Sequence, residues 1–183
     1  MSLSDYKFKE IMDEGEIDRT LRRISTQIIE WAGSIEQLAI IGIYRGGAHL
    51  AGRIKELIKK MERIEVPLGI IDITLYRDDL SETLVVPEIH STDIDFDVNG
   101  KKIALIDDVV FTGRTVRSAI DQIIDFGRPK AISLAVLIDR GHRELPIQPD
   151  FTGRRVPTSH DERVEVELKE DGKKDRVIIG KRA

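Results

Sequence analysis

Apolar positions recur along this chain with two periods, and the changes of period mark its elements. Ile17, Leu21, Ile24, Ile28 and Trp31 recur at helical spacing, which predicts an amphipathic helix over residues 16–32. Arg19, Arg22 and Arg23 fall off that stripe, on its polar face. Residues 38–43 form a continuous apolar run of the length expected for a buried strand. After Tyr44-Arg45-Gly46-Gly47 the spacing is helical again through Leu50, Ile54, Leu57 and Ile58. Residues 66–75 read as a strand interrupted by Asp72 and Thr74. Residues 103–106 are a second buried run, and the adjacent Asp107 and Asp108 stand where that strand should end. Val109, Val110 and Phe111 follow, then Thr112-Gly113-Arg114-Thr115, then a helical pattern through Val116, Ile120, Ile123 and Ile124 that Gly127-Arg128-Pro129 stops. Residues 131–138 are the next buried strand.

Other stretches carry weaker patterns. Residues 1–15 are mixed and are expected to form a loose arm or a short helical turn. A long polar segment, about residues 76–100, has few apolar anchors. Its runs 83–86 and 94–98 can pair, so a hairpin-like flap is expected there. Near the end Val164, Val166 and Leu168 alternate with charged residues as in a half-exposed strand, 170–173 is a turn, and 177–179 a closing strand. Residues 139–183 therefore read as a small C-terminal cap on a single domain spanning 1–183.

Strands alternating with helices predict an α/β fold: a mostly parallel central sheet flanked by helices. Ligands of such sheets sit beyond the carboxyl ends of the strands. The loops after residues 43, 75, 106 and 138 all fall there, so they converge on one cleft. Composition changes this picture little. The 183 residues suffice for one core, with 40% hydrophobic and 34% charged residues. A net charge of −4 argues against a protein that coats nucleic acid with its whole surface, and leaves room for a local basic face. The absence of cysteine rules out disulfides, thiolate nucleophiles and cysteine metal sites, and fits a cytoplasmic protein. No signal pattern opens the sequence and no stretch reaches membrane-spanning length, so no membrane partner is expected.

The chemistry concentrates in residues 103–115. Strand, acidic pair, small-residue loop and helix start make an anion cradle with carboxylates at its lip. Backbone N–H groups at the helix start can face a phosphate, Gly113 permits close approach, Thr112 and Thr115 add hydroxyls, and Arg114 adds charge. Asp107 and Asp108 would repel that phosphate, so they must meet another part of the ligand, such as sugar hydroxyls or a bound cation. A capped helix after an acidic turn is the plainer reading of Thr-Gly-x-Thr alone; the acidic pair tips the balance toward ligand binding. Tyr44–Gly47 is a weaker anion signal, since Gly-Gly also serves tight turns between strand and helix.

Residues 107–115 resemble the phosphoribosyl-pyrophosphate (PRPP) motif of type I phosphoribosyltransferases. Three further blocks narrow the resemblance: Ile71-Asp72-Ile73-Thr74-Leu75-Tyr76-Arg77-Asp78-Asp79-Leu80-Ser81, Asp139-Arg140-Gly141-His142-Arg143-Glu144-Leu145-Pro146-Ile147, and Pro157-Thr158-Ser159. In one register over essentially the whole chain, they are similar to the PyrR family, bifunctional regulators of pyrimidine operons that are also uracil phosphoribosyltransferases. The resemblance implies the type I phosphoribosyltransferase fold and formation of UMP and pyrophosphate from uracil and PRPP with Mg²⁺ carried by PRPP. It also implies UMP-promoted binding to the leader mRNA of a pyrimidine operon, and a homodimer or higher oligomer. By position, Asp107 and Asp108 would meet the ribose hydroxyls and Thr112–Thr115 the 5′-phosphate. Tyr44, Arg45, Gly46 and Gly47 would take pyrophosphate, Tyr76, Arg77, Asp78 and Asp79 would open the flap, and Asp139 and Arg140 would frame the base. A basic face of Arg19, Arg22, Arg23, His142, Arg143, Arg154 and Arg155 would meet RNA.

Two departures from the family pattern stand out. Arg45-Gly46-Gly47 occupies the place of a usual Thr-Arg-Gly, so the loop arginine comes one position early. Arg22, Thr26 and Gln148 replace residue types common at RNA-contact positions. Two alternatives stay open: an RNA-binding nucleotide sensor with little or no transferase activity, and a transferase for another base such as hypoxanthine or guanine. No residue stands out as a general base. His49, His90 and His160 fall in a helix, the flap and a surface loop, where structural or solvated roles are expected.

Overall fold

In the computed structural model, which describes residues 6–73 and 92–182, the order is β1 (Tyr6–Met12), α1 (Glu14–Ala32), β2 (Leu38–Ile43), α2 (Gly46–Glu62), β3 (Leu68–Ile71), β4 (Lys102–Val110), α3 (Arg114–Phe126), β5 (Ala131–Asp139), β6 (Phe151–Arg155), β7 (Arg163–Glu167) and β8 (Arg176–Arg182). Strands β3-β2-β4-β5-β6 form a parallel sheet in that spatial order. The second sheet, β1-β8-β7, is antiparallel. Buried runs become parallel central strands because helices cover both faces.

Local chemistry sets the helix ends. Asp13 and Glu16 close a capping box, with Glu16 N–H donating to Asp13 Oδ1 at 2.8 Å and Asp13 N–H to Glu16 Oε2 at 3.1 Å. This reciprocal pair satisfies two of the donors that a helix start leaves open. The last turn of α1 carries no cation of its own, and Lys102 supplies one from β4. Its ammonium donates to Trp31 O (2.8 Å) and Ala32 O (3.1 Å) and lies 5.2 Å from the Trp31 ring centroid. That places charge where the helix dipole and its open carbonyls favour it.

The two faces of the parallel sheet bury separate cores. Leu38, Ile40, Ala104 and Ile106 pack with Ile17, Leu21, Ile24 and Ile28 of α1 and Leu50, Ile54 and Ile58 of α2. Ala39, Ile41, Ile103 and Leu105 pack with Val116, Ala119 and Ile123 of α3. Among the described residues, no buried side-chain nitrogen or oxygen lacks a hydrogen-bond partner.

Several expectations from the sequence need correction. Residues 6–12 are a strand, not an arm or helical turn, because they pair with β8 from Tyr6↔Arg182 to Met12↔Val177. The cap is accordingly built from both ends of the chain. Within 139–183, Phe151–Arg155 belongs to the main sheet as its edge strand. Its half-buried positions carry no alternation that could announce it. Strand β3 is shorter than the apolar run 66–75. Residues 94–98 form no named strand; Asp93 makes an isolated bridge to Ile70, and Ile94 and Phe96 pack on the α3-side core. Tyr76, Arg77, Asp78, Asp79, His90 and the run 83–86 lie outside the described residues.

Candidate active site

The acidic pair lies on β4, not after it. Strand β4 stays paired with β5 through Val110↔Asp139. Along β4, Ile103 and Leu105 face the α3-side core, and Ala104 and Ile106 the α1/α2 side. Past the aspartates the phase is inverted: Val109 joins the α1/α2 side and Val110 the α3 side. The inversion falls on Asp107 and Asp108, at the carboxyl end of the sheet, where the sequence placed the cleft. Asp107 pairs with Val136, a residue of the α3-side core, and its Oδ1 accepts from Asp108 N–H at 2.9 Å. Asp108 Oδ1 accepts from Val109 N–H at 2.8 Å.

The 44–47 loop is pressed against this pair. A Cβ on Gly46 would lie 2.3 Å from Asp108 Oδ2, and one on Gly47 would lie 2.5 Å from Ile106 O. Glycine is required at both positions by close approach. Tyr44 N–H donates to Ile71 O at 2.8 Å, which ties the loop to β3, and the Tyr44–Arg45 peptide is cis. Burial against this loop raises the Asp108 carboxyl above the ordinary aspartate range, and the nearby Asp171 carboxylate pushes the same way.

On the other side, Gly113 takes a left-handed conformation (φ 93°) and caps α3. Thr112 Oγ1 accepts from Arg114 N–H at 3.3 Å. Residues 141–147 fold over this turn: Glu144 and Leu145 N–H both donate to Thr112 O, at 3.0 and 3.2 Å, and Arg114 Nε donates to Glu144 Oε2 at 2.8 Å. Val109, Val110 and Phe111 carry the chain from strand to turn, with Thr115 in the first turn of α3. The two glycine loops thus flank one acidic pair, and backbone N–H groups of such loops can face anions while carboxylates can meet hydroxyls.

The described residues on either side of 74–91 meet at the end of β3. Asp72 N–H donates to Thr92 Oγ1 at 3.4 Å, and Ile70 and Asp93 exchange backbone hydrogen bonds at 2.8 Å. Buried Gln122 of α3 links both ends: its Nε2 donates to Asp72 O (3.2 Å), and its Oε1 accepts from Thr92 Oγ1 (3.2 Å). The chain therefore leaves after β3 and returns to the same point. Sequence reading missed Gln122, whose place on the helix gave no sign that it would be buried.

Residues 7–171 match the Phosphoribosyl transferase domain family. The chain is 57% identical over 173 residues to the bifunctional protein PyrR of Caldicellulosiruptor bescii, covering 94% of this chain and 95% of that protein. It is 53% identical over 175 residues to the bifunctional protein PyrR of Listeria monocytogenes, covering 93% and 96%. The chain belongs to the PyrR family. Solved structures confirm its fold: a hypoxanthine-guanine phosphoribosyltransferase from Bacillus anthracis superposes with TM-score 0.66 at 21% identity, covering 81% of this chain and 84% of that one. A purine phosphoribosyltransferase from Pyrococcus horikoshii gives 0.61 at 24% identity, covering 79% and 85%. This PyrR-family chain is a phosphoribosyltransferase with the type I fold.

The expected base-framing residues are found at the end of β5. Asp139 Oδ1 accepts from Gly141 N–H (3.0 Å) and from Arg143 Nη2 (2.6 Å). Arg143 also donates to Phe111 O (2.8 Å) and Ile147 O (3.0 Å). Arg140 lies 4.0 Å from the Phe111 ring centroid and donates to Glu162 O (2.7 Å) and Thr158 Oγ1 (3.2 Å). Burial lowers its pKa from the ordinary arginine value. His142 and His160 lie with ring centroids 4.0 Å apart and planes tilted by 52°, both edge-on to Phe111. No sequence signal joins positions 111, 142 and 160, and this aromatic cluster escaped the sequence reading.

The seven expected RNA contacts of this PyrR-family chain fall in two places. Arg19 and Arg22 are exposed on α1, and Arg23 donates to Thr152 O (3.2 Å) and Gly153 O (2.7 Å) of β6. Arg154 pairs with Glu16 at 2.8 Å, and Arg155 is exposed at the end of β6. His142 and Arg143 instead sit at the mouth, where Arg143 is largely enclosed.

Proposed function

We propose that this phosphoribosyltransferase uses uracil, joining it to PRPP to release UMP and pyrophosphate, and that with UMP bound it binds the leader mRNA of a pyrimidine operon. The observation that carries the reading is the acidic pair of β4 held between the 44–47 loop and the Gly113 turn. In this reading the ribose hydroxyls face Asp107 and Asp108, the 5′-phosphate sits on residues 112–115, and pyrophosphate lies along 44–47. Uracil sits by the β5 end, near Asp139 and Arg140. The N1–C1′ bond forms as the bond from C1′ to pyrophosphate breaks, and N1 gives up its proton. The sugar gains positive charge on the way, which two carboxylates offset. Held reactants supply much of the rate, since among the described residues no side chain is placed as a general base.

Mg²⁺ fits this donor set as a companion of the substrate. Among the described residues no three His, Asp or Glu side chains converge as a metal cage. Mg²⁺ keeps waters and binds through one or two carboxylates plus substrate phosphates. Asp107 and Asp108 are oxygen donors at the right lip, and the ion would offset charge on the departing pyrophosphate. For a regulator read on leader mRNA, a cytoplasmic site and a homodimer or higher assembly complete the proposal. Among the described residues no helix is long and apolar enough to cross a membrane.

The test is direct: purified protein, Mg²⁺, PRPP and labelled uracil, with hypoxanthine and guanine as controls. UMP from uracil alone supports the reading. Product from a purine instead overturns the base assignment. UMP-stimulated binding of leader RNA without turnover favours the sensor alternative, which the engagement of Arg45 by a carboxylate makes worth separating.

A further inference from the structure

The loop arginine comes one position early, and the structure shows what meets it there. Arg45 Nη2 lies 2.6 Å from Asp171 Oδ1, and His49 Nε2, one turn along α2, lies 3.3 Å from the same oxygen. Asp171 belongs to the 3-10 turn Lys169–Asp171 of the cap, more than 120 residues away in sequence. That turn is clamped to α2. Arg53 donates to both oxygens of Glu170, at 2.8 and 2.5 Å, and to both oxygens of Asp175, at 2.7 and 2.8 Å. Asp175 Oδ1 also accepts from Lys169 N–H at 2.7 Å. One partly buried guanidinium thus fixes the turn at two points, and the turn fixes Asp171.

We propose that Asp171 is a positioning residue: it holds Arg45 so that the guanidinium faces incoming pyrophosphate. This rests on the reading that the 44–47 loop takes the pyrophosphate of PRPP. The side-chain exposures decide the direction of the effect. Asp171 is 16% exposed and Arg45 62% exposed, so the cation stands outermost and an arriving anion meets it first. A long arginine chain loses rotamer freedom when it binds a ligand, and a contact that restricts it beforehand lowers that cost. The contact also ties the nucleotide site to the cap, since Asp171 reaches the loop only while the Arg53 clamp holds.

Binding measurements test this without depending on turnover. PRPP with Mg²⁺, pyrophosphate with Mg²⁺, and UMP are titrated into the wild type, Asp171→Asn, Asp171→Glu, Arg45→Gln and the double variant Arg45→Gln/Asp171→Asn. Asp171→Asn is expected to weaken PRPP and pyrophosphate by roughly three- to tenfold, the size of one lost pre-ordered side chain. UMP affinity stays unchanged, which also shows that the variant is folded. Asp171→Glu recovers part of the loss. Adding Asp171→Asn to Arg45→Gln costs nothing more, because Asp171 acts through Arg45. Equal or tighter PRPP binding by Asp171→Asn, or additive losses, overturn the proposal while leaving the transferase reading in place. A wild type that binds UMP and fails to bind PRPP overturns both.

Discussion

Asp108 is a carboxylate whose free-protein environment opposes its charge. Burial, with Asp171 adding to it, raises its pKa, so its contribution to stability is present in acid and is lost as pH rises through the folded-state value. Asp108→Asn is therefore expected to raise the melting temperature of the ligand-free protein at neutral pH by about 2–4 °C, the shift that roughly 1 kcal/mol brings at this size. The gain should shrink toward pH 4, and transfer activity should fall; melting curves across pH check the first and uracil turnover the second. The glycines make a sharper pair. Gly47→Ala drives a Cβ onto the Ile106 carbonyl and should cost ~1–3 kcal/mol with weaker PRPP binding. Gly52, in the interior of the same helix with open space around its Cα, should gain about 0.5–1 kcal/mol on substitution by alanine. Urea midpoints of the two variants are expected to move in opposite directions. Gly46, Gly47 and Gly113 were legible in the sequence as loop glycines. What Gly46 and Gly47 press against was not, because Asp108 and Ile106 are some sixty positions away.

At the scale of elements, the buried runs 38–43, 103–106 and 131–138 and the three helices were readable from period alone. Edge elements were not. Strands β1 and β6 take their conformation from their partners, distant Arg176–Arg182 for the first and β5 for the second. Their own residues alternate too weakly to announce a face. The acids of β4 were misplaced for a related reason: a carboxylate usually ends a buried run, and here pairing with β5 carries the strand past two of them. The clamp between α2 and the cap gives a prediction at this level. Burial alone would raise the Asp175 carboxyl, but hydrogen bonds from Arg53 and from Lys169 N–H outweigh it, and its pKa is lowered. The Glu170 pKa is lowered mainly by its hydrogen bonds from Arg53. Both contribute stability that is present above ordinary carboxylate values and lost as pH falls through the lowered ones. Arg53→Ala strands Asp175, whose side chain is 3% exposed, and should cost ~3–5 kcal/mol in urea unfolding at neutral pH. The difference from wild type should narrow in acid.

For the whole molecule, charge is unevenly used. The chain carries a net −4, yet Arg19, Arg22 and Arg155 stand exposed near the α1–β6 edge. RNA binding through that edge should weaken steeply with salt. Each of Arg22→Ala and Arg155→Ala should lower the slope of log affinity against log salt by about 1, measured with UMP present. Arg143→Ala should behave differently. It removes a guanidinium bonded to Asp139, Phe111 O and Ile147 O, so base and nucleotide binding should suffer along with RNA. Sequence reading grouped these arginines by charge, and only their partners separate a contact surface from a brace.

The pairing of Tyr6 with Arg182 has a further consequence for engineering. The first and last described strands are neighbours, so a short linker from residue 182 back to residue 6 would close the backbone into a ring. New ends could then open at exposed residues 63–65, between α2 and β3. Such a circular permutant keeps every strand neighbour and both glycine loops, and only the order of synthesis changes. It should retain uracil turnover close to that of the native order, with the cap sheet now made from contiguous chain.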